Sequence, residues 1–241
     1  GIQWRSFDYS QQEPRIVAHY AASVNSNFSG ANEFIEAYKN ESADFHQIVA
    51  DMAGITRTQA KTINLGLFYG MGKAKLAKEL GISKDRAEQL LIKYGDRVPF
   101  VKQLATDVSI SASKYGFIRT IRGRKCRFDM WEPSTFGMNK AMQYEEAKAV
   151  YGNNIRRAFT YKALNRLIQG SAADQTKQAM INCYKEGYKP LLQIHDELCF
   201  SIDKEADIKN VKELMENAIE DFKVPSKVDI ALGRSWGEAK E

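Results

Sequence analysis

Along most of the chain apolar positions recur at helical spacing; shorter strand-like runs sit only near the two ends. The pattern predicts helices over roughly 14–23, 32–40, 42–53, 57–70, 73–80, 84–94, 99–115, 138–151, 155–184 and 205–220. Strand-like segments fall at 2–8, 190–194, 197–202 and 227–232. A few strands around a long helical middle predict an α+β fold. The terminal strands have to meet in one small sheet, because a lone hairpin is only marginally stable. That meeting carries Asp8 towards Asp196 from the far end of the sequence.

Composition adds limits rather than chemistry. The 241 residues are 44% hydrophobic and 11% aromatic, enough to bury a core. A net charge of +5 permits an anionic partner without requiring one. Cys126, Cys183 and Cys199 have neither paired nor metal-ligand spacing, which suits a reducing compartment. No apolar run approaches a membrane span and no leader pattern is visible, so a cytoplasmic, soluble protein without a membrane partner is expected. The chain starts at Gly1 rather than Met, consistent with a processed, cloned or truncated start.

Candidate chemistry begins in the helix after Thr56. Thr56 and Gln59 match a capping box. At about 100° per residue, Arg57, Lys61, Asn64 and Leu65 fall on one side. Two cations at the positive end of a helix repel each other and oppose the dipole, unless an anion such as a polyphosphate joins them. Gly66, Gly70 and Gly72 leave room at the far end for something flat. A solvated cationic face is an equally good reading of this helix alone.

The ends supply acids. Asp8 closes the first strand, before a turn and a helix with Pro14 in its first turn. Near the other end, His195-Asp196-Glu197 forms the tip of a hairpin. Adjacent carboxylates are unfavourable there without a cation, and carboxylate oxygens suit Mg²⁺. Taken singly, each also fits an ordinary acidic turn. Together with Arg57 and Lys61 they form equipment for metal-assisted phosphoryl or nucleotidyl transfer.

At this point the residues resemble the polymerase domain of family A DNA polymerases, the bacterial DNA polymerase I group and its phage relatives. Asp8-Tyr9-Ser10-Gln11-Gln12-Glu13-Pro14-Arg15 resembles the family's motif A. Arg57, Lys61, Leu65 and Tyr69-Gly70 resemble motif B, the O helix of the fingers; Gln193-Ile194-His195-Asp196-Glu197 resembles motif C. Asn165 with Gln169-Gly170-Ser171-Ala172-Ala173-Asp174 resembles the long palm helix, and Leu232-Gly233-Arg234-Ser235-Trp236 the C-terminal end. The motifs run in order over essentially the whole chain, which sets chance agreement aside. The implied fold is a small antiparallel palm sheet with a large helical fingers insertion, a right-hand polymerase without its own thumb. The implied domains are palm at 1–30, fingers at 31–135 with the O helix at 56–71, and palm again at 136–241.

The resemblance also implies roles. Asp8, Asp196 and the Tyr9 carbonyl would hold two Mg²⁺ ions, with Mn²⁺ able to substitute; Lys61 and Glu197 complete the catalytic set. Arg57, Lys61, Leu65, Tyr69, His46, Gln11 and Glu13 would meet the incoming dNTP, with Glu13 excluding a 2′-hydroxyl. Arg15, Asn165, Gln169, His195 and Gly70 would touch primer–template DNA. Minor-groove acceptors are nearly common to all base pairs, so such contacts can test pair shape without reading sequence. Five cations in nine positions, Arg119 to Arg127, offer phosphate contacts through Arg122 and Arg124.

Three departures stand out. Leu65 replaces the usual Phe or Tyr, which is expected to change dideoxynucleotide discrimination. Tyr161 stands where Arg is common, and Pro14 replaces an apolar residue. Family members also carry a thumb, and often a 3′–5′ exonuclease, ahead of motif A. A separate polypeptide supplying these, or excision from a longer chain, is therefore expected, with DNA binding by this chain alone weak and salt-sensitive. Two rivals share parts of the pattern: a single-subunit RNA polymerase-like enzyme, and a non-catalytic DNA-binding subunit of a replication complex. A generic hydrolase has little support, since no Ser/His/Asp spacing is present.

Overall fold

In the computed structural model, residues 3–23, 32, 35, 36, 38, 44–68, 71–135 and 140–240 are described. They form two compact units, Gly1–Ile48 with Ser171–Glu241, and Val49–Gly170.

The first unit is built on a four-stranded antiparallel sheet. Its strands are β1 (Trp4–Tyr9), β6 (Leu192–Ile194), β7 (Glu197–Ser201) and β8 (Val228–Gly233), in the order β6-β7-β1-β8. The two ends of the chain do share one sheet, and the N-terminal strand lies inside it. Residues opposed in register share a face. Phe7 faces Leu198 and Ile230, while Asp8 faces Glu197 and Asp229. Alternation thus divides the sheet into an apolar face and an acidic one. The apolar face carries the core: Phe7, Tyr9, Leu198, Phe200 and Val228 pack with Ala179, Cys183, Ile208, Val211 and Met215. These five partners come from two helices, α8 (Ala163–Lys185) and α9 (Glu205–Glu216). Phe7 and Phe200 meet edge to face, with ring centroids 5.5 Å apart.

Helix α1 (Gln12–Ser23) follows β1. Its His19 ring stacks on Phe222 at 4.8 Å, and Nδ1 accepts the Lys223 backbone N–H at 3.2 Å. Burial, with Lys223 adding to it, pushes the His19 pKa down from 6.5 to about 4. The folded state therefore binds fewer protons than the unfolded state between those values. The His19 contribution is complete above pH 6.5 and is lost as pH falls towards 4. His19→Gln keeps an acceptor without a titration. Urea denaturation from pH 7 to 4.5 is expected to show the parent losing stability faster than this variant. Parallel losses would refute the assignment.

The second unit is mostly helical: α3 (Arg57–Phe68), α4 (Lys73–Leu80), α5 (Lys84–Arg97), α6 (Pro99–Tyr115) and α7 (Tyr144–Tyr151). It also includes the end of α2 (Phe45–Ala53) and the start of α8. Ser83 caps α5 by accepting the Arg86 N–H at 3.2 Å, and Pro99 opens α6. Two short hairpins complete it: β2 (Phe117–Arg119) with β3 (Lys125–Arg127), and β4 (Trp131–Pro133) with β5 (Ile155–Arg157). These four strands replace predicted loop and, at 155–157, predicted helix. Each is three residues long, too short to print an alternation. A Cβ on Gly116 would lie 2.6 Å from the Arg157 guanidinium carbon, so the α6 terminus accepts only glycine there without a shift. Most of the predicted 32–40 helix lies outside the described residues.

Candidate active site

The acidic face of the sheet carries the acids expected from the sequence. Ile194 pairs with Glu197, leaving His195 and Asp196 as a two-residue turn, as the sequence predicts. The Tyr9 N–H points to the Asp196 carbonyl at 3.4 Å, and Asp8 pairs with Glu197. Asp8 and Asp196 therefore sit at neighbouring positions, both half-buried. The backbone is strained on both sides of them: Gln11 has φ 54° and His195 φ 51°. Each costs a non-glycine residue roughly 1–2 kcal/mol, and such outliers cluster at functional sites.

Glu197 differs from its neighbours. It is only 2% exposed. Its Oε1 accepts the Ser6 hydroxyl and, with Oε2, the Trp236 indole N–H at 3.2 and 3.3 Å. Ser6 and Asp229 were not singled out from the sequence, and Trp236 was named there only as part of the C-terminal match. The alternation of β1 and β8 could have marked Ser6 and Asp229; nothing local links Trp236 to Glu197, 39 positions away.

Several residues expected at nucleotide or DNA have structural work here. The Gln11 side-chain oxygen Oε1 accepts the Phe45 N–H at 2.9 Å and the Tyr38 hydroxyl at 3.2 Å, holding the start of α2. Arg15, expected at the primer end, is 3% exposed. It donates to the Ser10 carbonyl at 3.0 Å and the Pro225 carbonyl at 2.6 Å, with its guanidinium 4.9 Å from the Tyr38 ring centre. Burial lowers its pKa, against the opposing pull of Tyr38, Asp229 and Glu216. Tyr9 is buried, and its hydroxyl donates to the Met215 carbonyl at 2.6 Å; burial raises its pKa. His46 is 9% exposed and lies edge-on to Phe45. Glu13 is half-buried in the first turn of α1, and His195 is exposed.

In the second unit the capping box forms as predicted. The Thr56 N–H donates to Gln59 Oε1 at 3.1 Å, and the Gln59 N–H to Thr56 Oγ1 at 3.2 Å. Arg57 and Lys61 are both exposed. Asn64 does not join them: it is fully buried, and its Oδ1 accepts the Tyr94 hydroxyl at 2.6 Å. Ala60, Ile63 and Asn64 form the inward stripe of α3, so the cationic face is narrower than predicted. Leu65 lies within α3; Tyr69 and Gly70 lie outside the described residues.

The basic run forms the β2–β3 hairpin. Arg122 is exposed near its tip, while Arg124 donates to the Gly170 carbonyl at 2.9 Å. A Cβ at Gly170 would fall 2.7 Å from Thr120 Cγ2, so glycine lets the hairpin lie on α8. Asn165, half-buried, and Gln169, exposed, are one turn apart on that helix.

The donor set suits a hard cation. Asp8 and Asp196 offer oxygens only. Among the described residues no three His, Cys, Asp or Glu side chains converge to hold an ion alone. Mg²⁺ is usually held in that incomplete way, by one or two carboxylates with substrate phosphates. No helix among the described residues is long and apolar enough to cross a membrane.

The DNA-directed DNA polymerase of Pseudomonas phage M6 is 35% identical over 99% of this chain, which spans 39% of that protein. DNA polymerase I of Lactococcus lactis subsp. cremoris is 34% identical over 98% of the chain, which spans 26% of it. Among solved structures, the POL domain of Pol1 from M. smegmatis, in complex with DNA primer-template and dNTP, superposes with a TM-score of 0.75. It is 32% identical over 99% of this chain, which covers 41% of that one. Residues 1–238 match the family described as DNA polymerase family A, and the chain belongs to that family.

Proposed function

We propose that the chain carries out template-directed DNA polymerisation, joining dNTPs to a primer 3′-hydroxyl. The observation that carries this reading is the strand pairing that places Asp8 beside Asp196. Those two carboxylates, with the Tyr9 main-chain oxygen, would hold two divalent cations, Mg²⁺ or Mn²⁺. When bound, such ions make the primer hydroxyl a better nucleophile and stabilise charge on the departing pyrophosphate.

The remaining work belongs to side chains. Arg57 and Lys61, exposed at the start of α3, supply charge for a triphosphate, and Lys61 donates a proton to the leaving pyrophosphate. His46 adds a phosphate contact. Glu13 selects against a 2′-hydroxyl; Leu65 and Tyr69 border the nascent base pair, and Gly70 lets the templating base pass. Asn165, Gln169, His195 and the Arg122–Arg124 hairpin meet primer–template DNA. The palm would comprise residues 1–30 and 136–241, and the fingers residues 31–135, with α3 in the O helix. A thumb, and a 3′–5′ exonuclease where there is one, would come from outside these residues, on a separate polypeptide or on a longer form of this one.

The test is primer extension at low ionic strength with saturating primer–template. Complementary deoxynucleotides are expected to be added, and Lys61→Ala is expected to slow addition by ~10²–10⁴-fold, the range for lost proton transfer. Preference for ribonucleotides would favour the RNA polymerase-like alternative. Binding without extension would favour a non-catalytic subunit.

A further inference from the structure

We propose that Glu197 acts as a positioning residue, and that Ser6 and Trp236 are its partners in a clasp that fixes the acid pair. The inference rests on reading Asp8 and Asp196 as the cation-binding acids. A carboxylate with both oxygens engaged and 2% exposure is poorly placed to meet an ion or substrate. It is well placed to fix backbone. Glu197 is the first residue of β7, next to Asp196 and directly across from Asp8.

The clasp joins three separate parts of the chain. Ser6 lies two residues before Asp8 on β1 and donates its hydroxyl to Glu197 Oε1. Trp236 belongs to the turn after β8, the other neighbour of β1. That turn is itself anchored: the Ala239 N–H donates to the Ser235 carbonyl at 3.2 Å, and the Arg234 N–H to Glu238 Oε2 at 2.9 Å. The Cys199 thiol also approaches Glu197 Oε1, at 3.4 Å. Burying a carboxylate is costly unless donors satisfy it, so the native state keeps this one only where Ser6 and Trp236 both reach it. Their reach fixes β7 against β1 at the point where the strained His195–Asp196 turn ends.

The clasp predicts effects on the acids without contact to ligand. Trp236→Phe removes the indole N–H and part of the bulk of a ring that is 42% exposed, so no core cavity opens. It is expected to weaken Mn²⁺ binding, read by loss of the free-ion EPR signal with no nucleotide present. The same variant should slow primer extension about tenfold, with the dNTP KM little changed, as for residues that orient metal ligands. Glu197→Gln keeps acceptor and shape and should restore most of the loss seen in Glu197→Ala. In a Glu197→Ala background, Trp236→Phe should add nothing further. Parent-like Mn²⁺ binding and extension in Trp236→Phe would overturn the clasp. So would loss of extension in proportion to a fall in Tm, which is what a merely structural contact produces. Asp8→Ala and Asp196→Ala serve as the separate check. If they retain Mn²⁺ binding and extension, the acid-pair reading fails and takes the clasp with it. If they lose both while Trp236→Phe does not, only the clasp fails.

Discussion

Asp196→Ala is expected to lower the rate of nucleotide incorporation by about 10⁴-fold, equivalent to about 5 kcal/mol of transition-state stabilisation. The size follows from what the carboxylate shares. Asp8 alone would not replace it, because holding two cations, one at the attacking and one at the leaving oxygen, would take both carboxylates. Stability is expected to move little. The Asp196 backbone carbonyl, not its side chain, receives the Tyr9 N–H, so the strand pairing survives the substitution. Loss of a negative charge beside Asp8 and Glu197 relieves repulsion, so Tm should be unchanged or slightly raised. Asp196→Asn should be nearly as inactive, since it keeps shape and loses charge. Single-turnover extension paired with thermal melts reads both quantities. Activity within tenfold of the parent in either variant would remove Asp196 from the reaction.

Phe200→Ala carries the largest expected cost to folding, about 3–5 kcal/mol for a buried phenylalanine. Its ring is fully buried on the apolar face, edge-on to Phe7. Such an aromatic pair contributes about 0.5–1.5 kcal/mol beyond area burial. The cavity would open beneath β7, which has α8 and α9 residues packed behind it. Domains of this size have a total stability of about 5–15 kcal/mol, so the variant should fall to a small remainder. Urea denaturation should show a lower midpoint with an unchanged slope. A loss below about 1 kcal/mol would mean that Phe200 is not central to this core.

How far the sequence could be read depended on the range of each interaction. The Thr56–Gln59 capping box and the Ile194–Glu197 hairpin are local, and both formed as predicted. Meeting of the terminal strands followed from a general constraint, since short strands need partners. The α6 boundaries at 99 and 115 were legible because Pro99 and Gly116 mark them. Asn64 was misplaced because helical angles give relative faces but not which face turns inward. Its inward position depends on Tyr94, 30 residues away. Arg15 reads as a primer–template contact, and its donation to the Pro225 carbonyl, 210 positions on, could not be read from the sequence. The burial of Glu197 likewise needs Ser6, 191 positions away. Residue types alone carry no sign of such closures.

Because β1 is flanked by β7 and β8, neither neighbour can form until nearly all of the chain is available. During synthesis, its backbone donors and acceptors would wait unpaired along a strand edge, a template for association with other chains. Non-local pairings of this kind also slow folding. A polypeptide stopped before Val228 would keep one flank of that strand open, so truncation from this end should yield aggregates rather than a smaller working fragment.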